Sequence, residues 1–308
     1  MLLAVLIGGA ALITIGEQRG WPTPTWQELY AVCGLSGRAA VPAQAKGAAT
    51  RVHFLDVGEA SATLVEQNGH FALIDAGGRE TAQRVVDYLQ AAGVKRLDYL
   101  ILTHPHADHM GGMRAVLEAF PVQTVLVPDV TKTTLDDAAP YERFCQMSLQ
   151  QADGLSVMRK GAEYPLGDGV LAVLLDGVAE ASVNDVSPVL KFTAPGLRFV
   201  CTGDAERPVE QAALAEKLPL RAELLAAGHH GSSTSSTEAF VKAVGAEAAV
   251  ISCGAYNDYG HPHREVVRTF QKLRIPVFRT DRDGAVVAYV DEAGQMQIAV
   301  ENAQQQAA

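Results

Sequence analysis

Three apolar stretches of this chain end alike. "LDYLILTHPHADHMGG", "LRFVCTGDAE" and "AELLAAGHHGSS" each leave a strand-like run through a glycine-bearing turn that carries histidine or aspartate. The first is the densest: of 9 histidines in 308 residues, three fall at positions 104, 106 and 109, around Asp108. Ligand-type residues placed where strands leave a core form loop-borne sites on a rigid sheet. Such a site draws its ligands from separate strand ends.

The chemistry of that pattern is metal binding. In an extended segment side chains two apart point the same way, so His104 and His106 can reach one ion. Asp108 and His109 follow where the chain turns toward a helix, and they can serve a second ion beside the first. Asp204, just behind Gly203, can bridge the two, and His229 and His230 close a third strand. Mixed imidazole and carboxylate donors suit Zn²⁺, Mn²⁺ or Fe. The four cysteines, Cys33, Cys145, Cys201 and Cys253, show no C-x-x-C spacing, which excludes zinc-ribbon and thioredoxin-type readings. Cys201 and Cys253 end apolar runs and read as buried thiols, a disulfide between them being the alternative.

The rest of the chain supplies a scaffold of matching size. It is 48% hydrophobic, enough for a sizeable core. The net charge of −10 argues against a generic polyanion binder, though not against an enzyme that meets phosphate through bound cations. Residues 2–16 carry no charge and read as a membrane anchor or signal segment. Residues 17–50, with Pro, Gly and Ala, read as a linker, residues 51–301 as the folded domain and 302–308 as a tail. Hairpins come first, with a turn at Asn68-Gly69, and strand–helix alternation follows. The expected fold is α/β, with two mixed sheets and helices outside.

"THPHADH", "TGD" and "GHHGS", in this order and spacing, resemble the metallo-β-lactamase superfamily. "HFLDVG", "LIDAGG", "VNDVSPVLKF", "YNDYGHP" and "FRTDRDGA" resemble, more narrowly, the extracytoplasmic metallo-β-lactamase-like domain of the ComEC competence family and its stand-alone relatives. The resemblance covers roughly residues 51–291. It implies an αββα sandwich, one or two divalent ions, Zn or Mn, and metal-dependent hydrolysis. Carried over, His104 and His106 hold one ion, Asp108, His109 and His229 the other, and Asp204 bridges. The preference for His229 over His230 comes from the family pattern and not from the spacing. Asp75, in "LIDAGG", matches a position that orients a ligand histidine from behind. The chain departs from the pattern twice. "DVGEASA" stands where relatives usually read D-V-G-Q-G-D-A, which puts the role of Glu59, Ala60 and Ser61 in doubt. Asn184 and Ser187 stand near where a further imidazole is usual, so the His104/His106 ion is expected to be the weaker.

The expected function is hydrolysis of phosphodiesters, including nucleic acid, outside the cytoplasm by a metal-bound hydroxide. Asp108 is assigned to hold the nucleophile or move its proton, and His261, with Asn257 and Tyr259, to contact a phosphate. The alternatives are hydrolysis of a lactone, thioester or β-lactam, and a non-catalytic binding module on the same fold. The membrane is an expected partner through residues 1–16, with the protein in the cell envelope, anchored or secreted; the sequence implies no protein partner.

Overall fold

The computed structural model describes residues 41–179 and 182–302. The expected apolar segment at 1–16 lies outside them, as do most of the linker and all but the first residue of the tail. Six strands come first: β1 (Thr50–Phe54), β2 (Thr63–Gln67), β3 (His70–Ile74), β4 (Leu97–Ile101), β5 (Val122–Val127) and β6 (Ala152–Val157). Seven follow: β7 (Glu163–Leu166), β8 (Gly169–Leu175), β9 (Val189–Ala194), β10 (Leu197–Cys201), β11 (Leu224–Ala226), β12 (Ala248–Ile251) and β13 (Val277–Arg279). A last hairpin joins β14 (Val286–Val290) to β15 (Met296–Val300).

These strands make two mixed sheets. One has eight strands in the order β15-β14-β1-β2-β3-β4-β5-β6, the other seven in the order β13-β12-β11-β10-β9-β8-β7. Each sheet has an antiparallel half of hairpins and a parallel half, β3 to β6 in one and β10 to β13 in the other. The β2–β3 turn is Asn68-Gly69, both at positive φ, as a two-residue hairpin requires.

Parity along the strands shows how the layers stack. Phe199 and Cys201 of β10 and Ala248 and Val250 of β12 join Val52, Phe54, Ile74 and Ile101 in the layer between the sheets. Their neighbours Val200, Ala249 and Ile251 face the other way, onto helices. Strands buried on both faces read as unbroken apolar runs, which is why "AAVISC" shows no alternation. Helices α1 (Ala82–Ala91), α2 (Met113–Ala119) and α3 (Ala139–Gln151) each connect two parallel strands of the first sheet. Helices α4 (Arg207–Ala215), α5 (Glu238–Val244) and α6 (Arg264–Leu273) lie on the second. The order is helices, sheet, sheet, helices, the expected αββα sandwich. Cys201 and Cys253 are buried free thiols, so no disulfide joins them. The folded body starts before Arg51: Val41 is buried and Ala45 packs on Val287 and Ala299, so residues 41–50 are not tether.

One buried polar group sits outside the sheets' central layer. His53 alternates with Val52 and Phe54, is fully buried, and its Nδ1 lies 3.0 Å from the Tyr88 hydroxyl of α1. Its Nε2 has no hydrogen-bond partner. Burial therefore pushes its pKa below the ordinary 6.5, only partly countered by Glu66. The unfolded chain takes a proton on this imidazole that the folded chain refuses. Stability from His53 is complete above about pH 6.5 and is lost as pH falls below it, with a slope of at most about 1.4 kcal/mol per pH unit. Urea unfolding between pH 7.5 and 5.5 should show that loss, and His53→Gln should flatten it. An unchanged slope in the variant would assign the loss to other groups.

Candidate metal centre

The parallel strands β3, β4, β10, β11 and β12 all deliver their carboxyl ends to one edge of the sandwich, the usual place for a site on such sheets. Thr103 and His104 follow the end of β4, and a single helical turn, Ala107–Met110, carries Asp108 and His109. Glycine follows because this turn sits directly on the loop after β3. A Cβ on Gly112 would stand 2.0 Å from the Ala76 carbonyl oxygen. Backbone bonds lock the contact: Ala76 N donates to His109 O at 2.8 Å and Gly112 N to Gly77 O at 3.1 Å. Gly203, at φ +51, turns β10 so that Asp204 faces the same spot; a Cβ there would meet Thr103 at 2.7 Å.

Four side chains from these turns meet. One ligand-type atom each from Asp108, His109, Asp204 and His230 lies within 4.8 Å of the others. His109 Nε2 is 3.2 Å from Asp204 Oδ1, and His230 Nε2 is 3.2 Å from Asp108 Oδ2 and 3.6 Å from Asp204 Oδ2. Beside them, His104 Nε2 stands 3.0 Å from His106 Nδ1 and 3.7 Å from Asp204 Oδ2. Of the expected ligands, the structure thus gathers His104, His106, Asp108, His109 and Asp204.

His229 stands outside the group of four. Its Nε2 reaches Asp204 Oδ2 at 3.6 Å, but its Nδ1 is held by Thr234 Oγ1 at 3.1 Å, and His230 takes the place beside Asp108 and His109. Both residues adopt left-handed backbone, φ +50 and +53, and their rings find different anchors, Thr234 for His229 and the Ser252 carbonyl for His230. No sequence signal separates them.

The imidazoles are oriented from behind. Asp75 Oδ2 accepts from His109 Nδ1 at 2.7 Å and from Thr103 Oγ1 at 2.8 Å, while Oδ1 accepts from Thr103 N at 2.9 Å. Thr103 Oγ1 in turn lies 3.2 Å from His104 Nδ1. His230 Nδ1 donates to the Ser252 carbonyl at 2.9 Å. Each arrangement fixes a tautomer and presents Nε2 to the cluster. Asp75 therefore orients His109 from behind.

The charges agree. Burial alone would lower His109, but Asp204 and Asp75 hold its pKa well above the ordinary value. Burial likewise opposes protonation of His230, yet Asp204 and the hydrogen bond to Asp108 raise it to about 9. Burial would raise Asp204, and its partners, His109 first and then His230, hold it well down instead. His104 is driven well below its ordinary pKa, first by burial and then by His109. Buried carboxylates that demand cationic partners, and imidazoles whose free nitrogens converge on them, fit a divalent cation in place of those protons. The expected departure at Asn184 and Ser187 fits as well: Asn184 Oδ1 and Ser187 Oγ are buried with no hydrogen-bond partner, and Ser187 Oγ is 3.1 Å from where a Gly203 Cβ would be.

His261 stands at the rim, its ring 5.7 Å from that of His229 and 6.1 Å from that of His230. Asn257 is not a phosphate donor. Its Nδ2 is spent on the carbonyls of Gly254 (2.9 Å) and His261 (2.7 Å), and its Oδ1 accepts from His261 N. Tyr259 is mostly exposed and stacks on His261 at 5.5 Å.

Comparisons with known proteins point the same way. The family model described as "Metallo-beta-lactamase superfamily" matches residues 55–255. ComE operon protein 3 of Bacillus subtilis is 30% identical over 76% of this chain and 32% of its own length. Competence protein ComA of Neisseria gonorrhoeae is 30% identical over 92% of this chain and 38% of its own length. The chain thus spans about a third of the length of these curated relatives. The crystal structure of YhfI from Bacillus subtilis, a metallo-beta-lactamase fold protein, superposes with a TM-score of 0.52 at 14% identity, covering 75% of this chain and 96% of that one.

Proposed function

The chain belongs to the metallo-β-lactamase superfamily, and from that premise we propose that it is a metal-dependent hydrolase of phosphodiesters acting outside the cytoplasm. The observation that carries the reading is the convergence of Asp108, His109, Asp204 and His230 within 4.8 Å, flanked by His104 and His106. Asp108, His109, His230 and Asp204 would hold one ion; His104, His106 and Asp204 would hold a second. When bound, such ions supply Lewis acidity toward the attacked group and acidify water.

The protein's own groups do the rest. Asp108 is the most exposed of the four cluster residues, at 37% for its side chain; burial would raise its pKa, but His230 and His109 hold it well below the ordinary value, so it stays an anion that can hold and orient an attacking water. His229 and His261, their rings 5.7 Å apart, stand beside the cluster and supply imidazole nitrogens toward a phosphoryl oxygen. Imidazole donors at the rim suit the non-bridging oxygens of a phosphodiester, which carry negative charge already in the ground state. The extracytoplasmic placement is supported by the uncharged run at residues 2–16 and by relatives named for competence. Among the described residues, no helix is long and apolar enough to cross a membrane.

The test uses the full chain purified without chelator. Elemental analysis should find between one and two divalent ions per chain, and less than about half an ion would remove the reading. Loaded with Mn²⁺ or Zn²⁺, the protein should cleave bis(p-nitrophenyl) phosphate or single-stranded or duplex DNA. Turnover of nitrocefin or a thioester in their place would move the substrate to the acyl class.

A further inference from the structure

Resting on the hydrolase reading, the geometry points to Glu59 as the positioning residue of His261: its carboxylate fixes that imidazole at the rim of the metal cluster with Nε2 turned to the substrate. Glu59 lies in the β1–β2 loop, in the stretch "DVGEASA" whose departure from the family pattern left its role open. The fold brings it 202 positions along the chain to His261. Glu59 Oε1 is 2.7 Å from His261 Nδ1, and Oε2 accepts from Gly254 N at 2.6 Å. With both oxygens committed, the carboxylate cannot rotate away. Neither partner is open to water: their side chains are 17% and 6% exposed.

The surroundings are built to the same end. Gly254 lies so close to the Glu59 backbone that a Cβ there would stand 2.6 Å from Glu59 N. Asn257 closes the 254–261 loop from inside, with three hydrogen bonds to the backbone of Gly254 and His261. The Glu59 loop is itself tied to the metal motif, since Ser61 N donates to Asp108 O at 3.1 Å. The His261 backbone, its ring and the motif helix are therefore one rigid unit.

A carboxylate on Nδ1 keeps a proton at Nδ1 whatever the charge of the ring. Nε2 is then the nitrogen left for substrate, and among the described residues nothing in the protein hydrogen-bonds it. Glu59 acts only through His261. Removing it should release the ring, cost ~10–100-fold in kcat, the range for groups that orient a site residue, and leave the metal in place.

The experiment compares wild type, Glu59→Ala, Glu59→Gln, His261→Ala and the double Glu59→Ala/His261→Ala variant, all Zn²⁺-loaded. The first readout is the ¹⁵N spectrum of the His261 ring, assigned by its loss in His261→Ala. Wild type should show a proton fixed on Nδ1, Glu59→Ala a mixture of tautomers, and Glu59→Gln, whose amide oxygen still accepts, an intermediate pattern. The second is metal content, unchanged throughout. The third is hydrolysis of bis(p-nitrophenyl) phosphate: kcat should fall more than KM rises in Glu59→Ala, recover partly in Glu59→Gln, and fall no further in the double variant than in His261→Ala. An unaltered ring spectrum in Glu59→Ala, or a double variant in which the two losses multiply, overturns the assignment. If metal-loaded wild type hydrolyses nothing while the ring spectra change as stated, the hydrolase reading falls and the positioning role stands.

Discussion

Asp204→Ala should leave the protein folded, strip it of both ions and lower hydrolysis by on the order of 10³-fold or more. The reason is the number of groups that depend on one carboxylate. Asp204 is nearly inaccessible and its two oxygens lie 3.2–3.7 Å from His109, His104, His229 and His230. It reaches both halves of the site, so either ion loses a carboxylate with it. His109 and His230 owe part of their raised pKa values to it, so without Asp204 they hold protons less tightly but also lack the charge that draws in a cation. Asp204→Asn separates charge from shape: it keeps one oxygen, and should retain substoichiometric metal and little activity. Folding is checked by circular dichroism, metal by elemental analysis. Asp204→Ala with a full complement of metal would show that the ions sit elsewhere.

Much of this centre is legible in the sequence because strand ends announce themselves. An apolar run, a glycine and a ligand residue together mark Thr103–His109, Gly203–Asp204 and Gly228–His230 without any structure, and the glycines are required by close approach: Gly112 against Ala76, Gly203 against Thr103. Central strands such as β10 and β12 are equally plain, since burial on both faces forces continuous apolar residues. The missing pieces fail for definite reasons. β6, "ADGLSV", is an edge strand with exposed positions and a glycine, so it carries neither an apolar run nor alternation. β7 contains Pro165, tolerated because it too lies at an edge. Glu59 meets His261 only in three dimensions, and Asn257 looks like a phosphate donor until its loop closes around it. His229 and His230 share residue type, turn and left-handed backbone; the anchors the fold gives their rings part them, Thr234 for His229 and the Ser252 carbonyl for His230.

That parting carries the second large effect. His230→Ala should weaken the tighter ion by at least ~100-fold, whereas His229→Ala should weaken it by less than ~10-fold. His230 Nε2 stands 3.3 Å from His109 Nε2 and 3.2 Å from Asp108 Oδ2, and its Nδ1 is pinned to the Ser252 carbonyl at the end of β12. Its ring cannot leave the cluster without breaking that bond. His229 touches the cluster only through the shared Asp204 oxygen, and its Nδ1 faces Thr234 and Glu206 at the mouth. The side of Asp204 that meets Asp108, His109 and His230 has a complete set of donors. Among the described residues, the side that meets His104 and His106 brings those two imidazoles and a share of Asp204, three donors against the four on the other side. Titration calorimetry with Zn²⁺ on wild type should therefore resolve a tight and a weak event. The tight event should vanish in His230→Ala and persist in His229→Ala. The reverse pattern would restore His229 to the place that the family resemblance gave it.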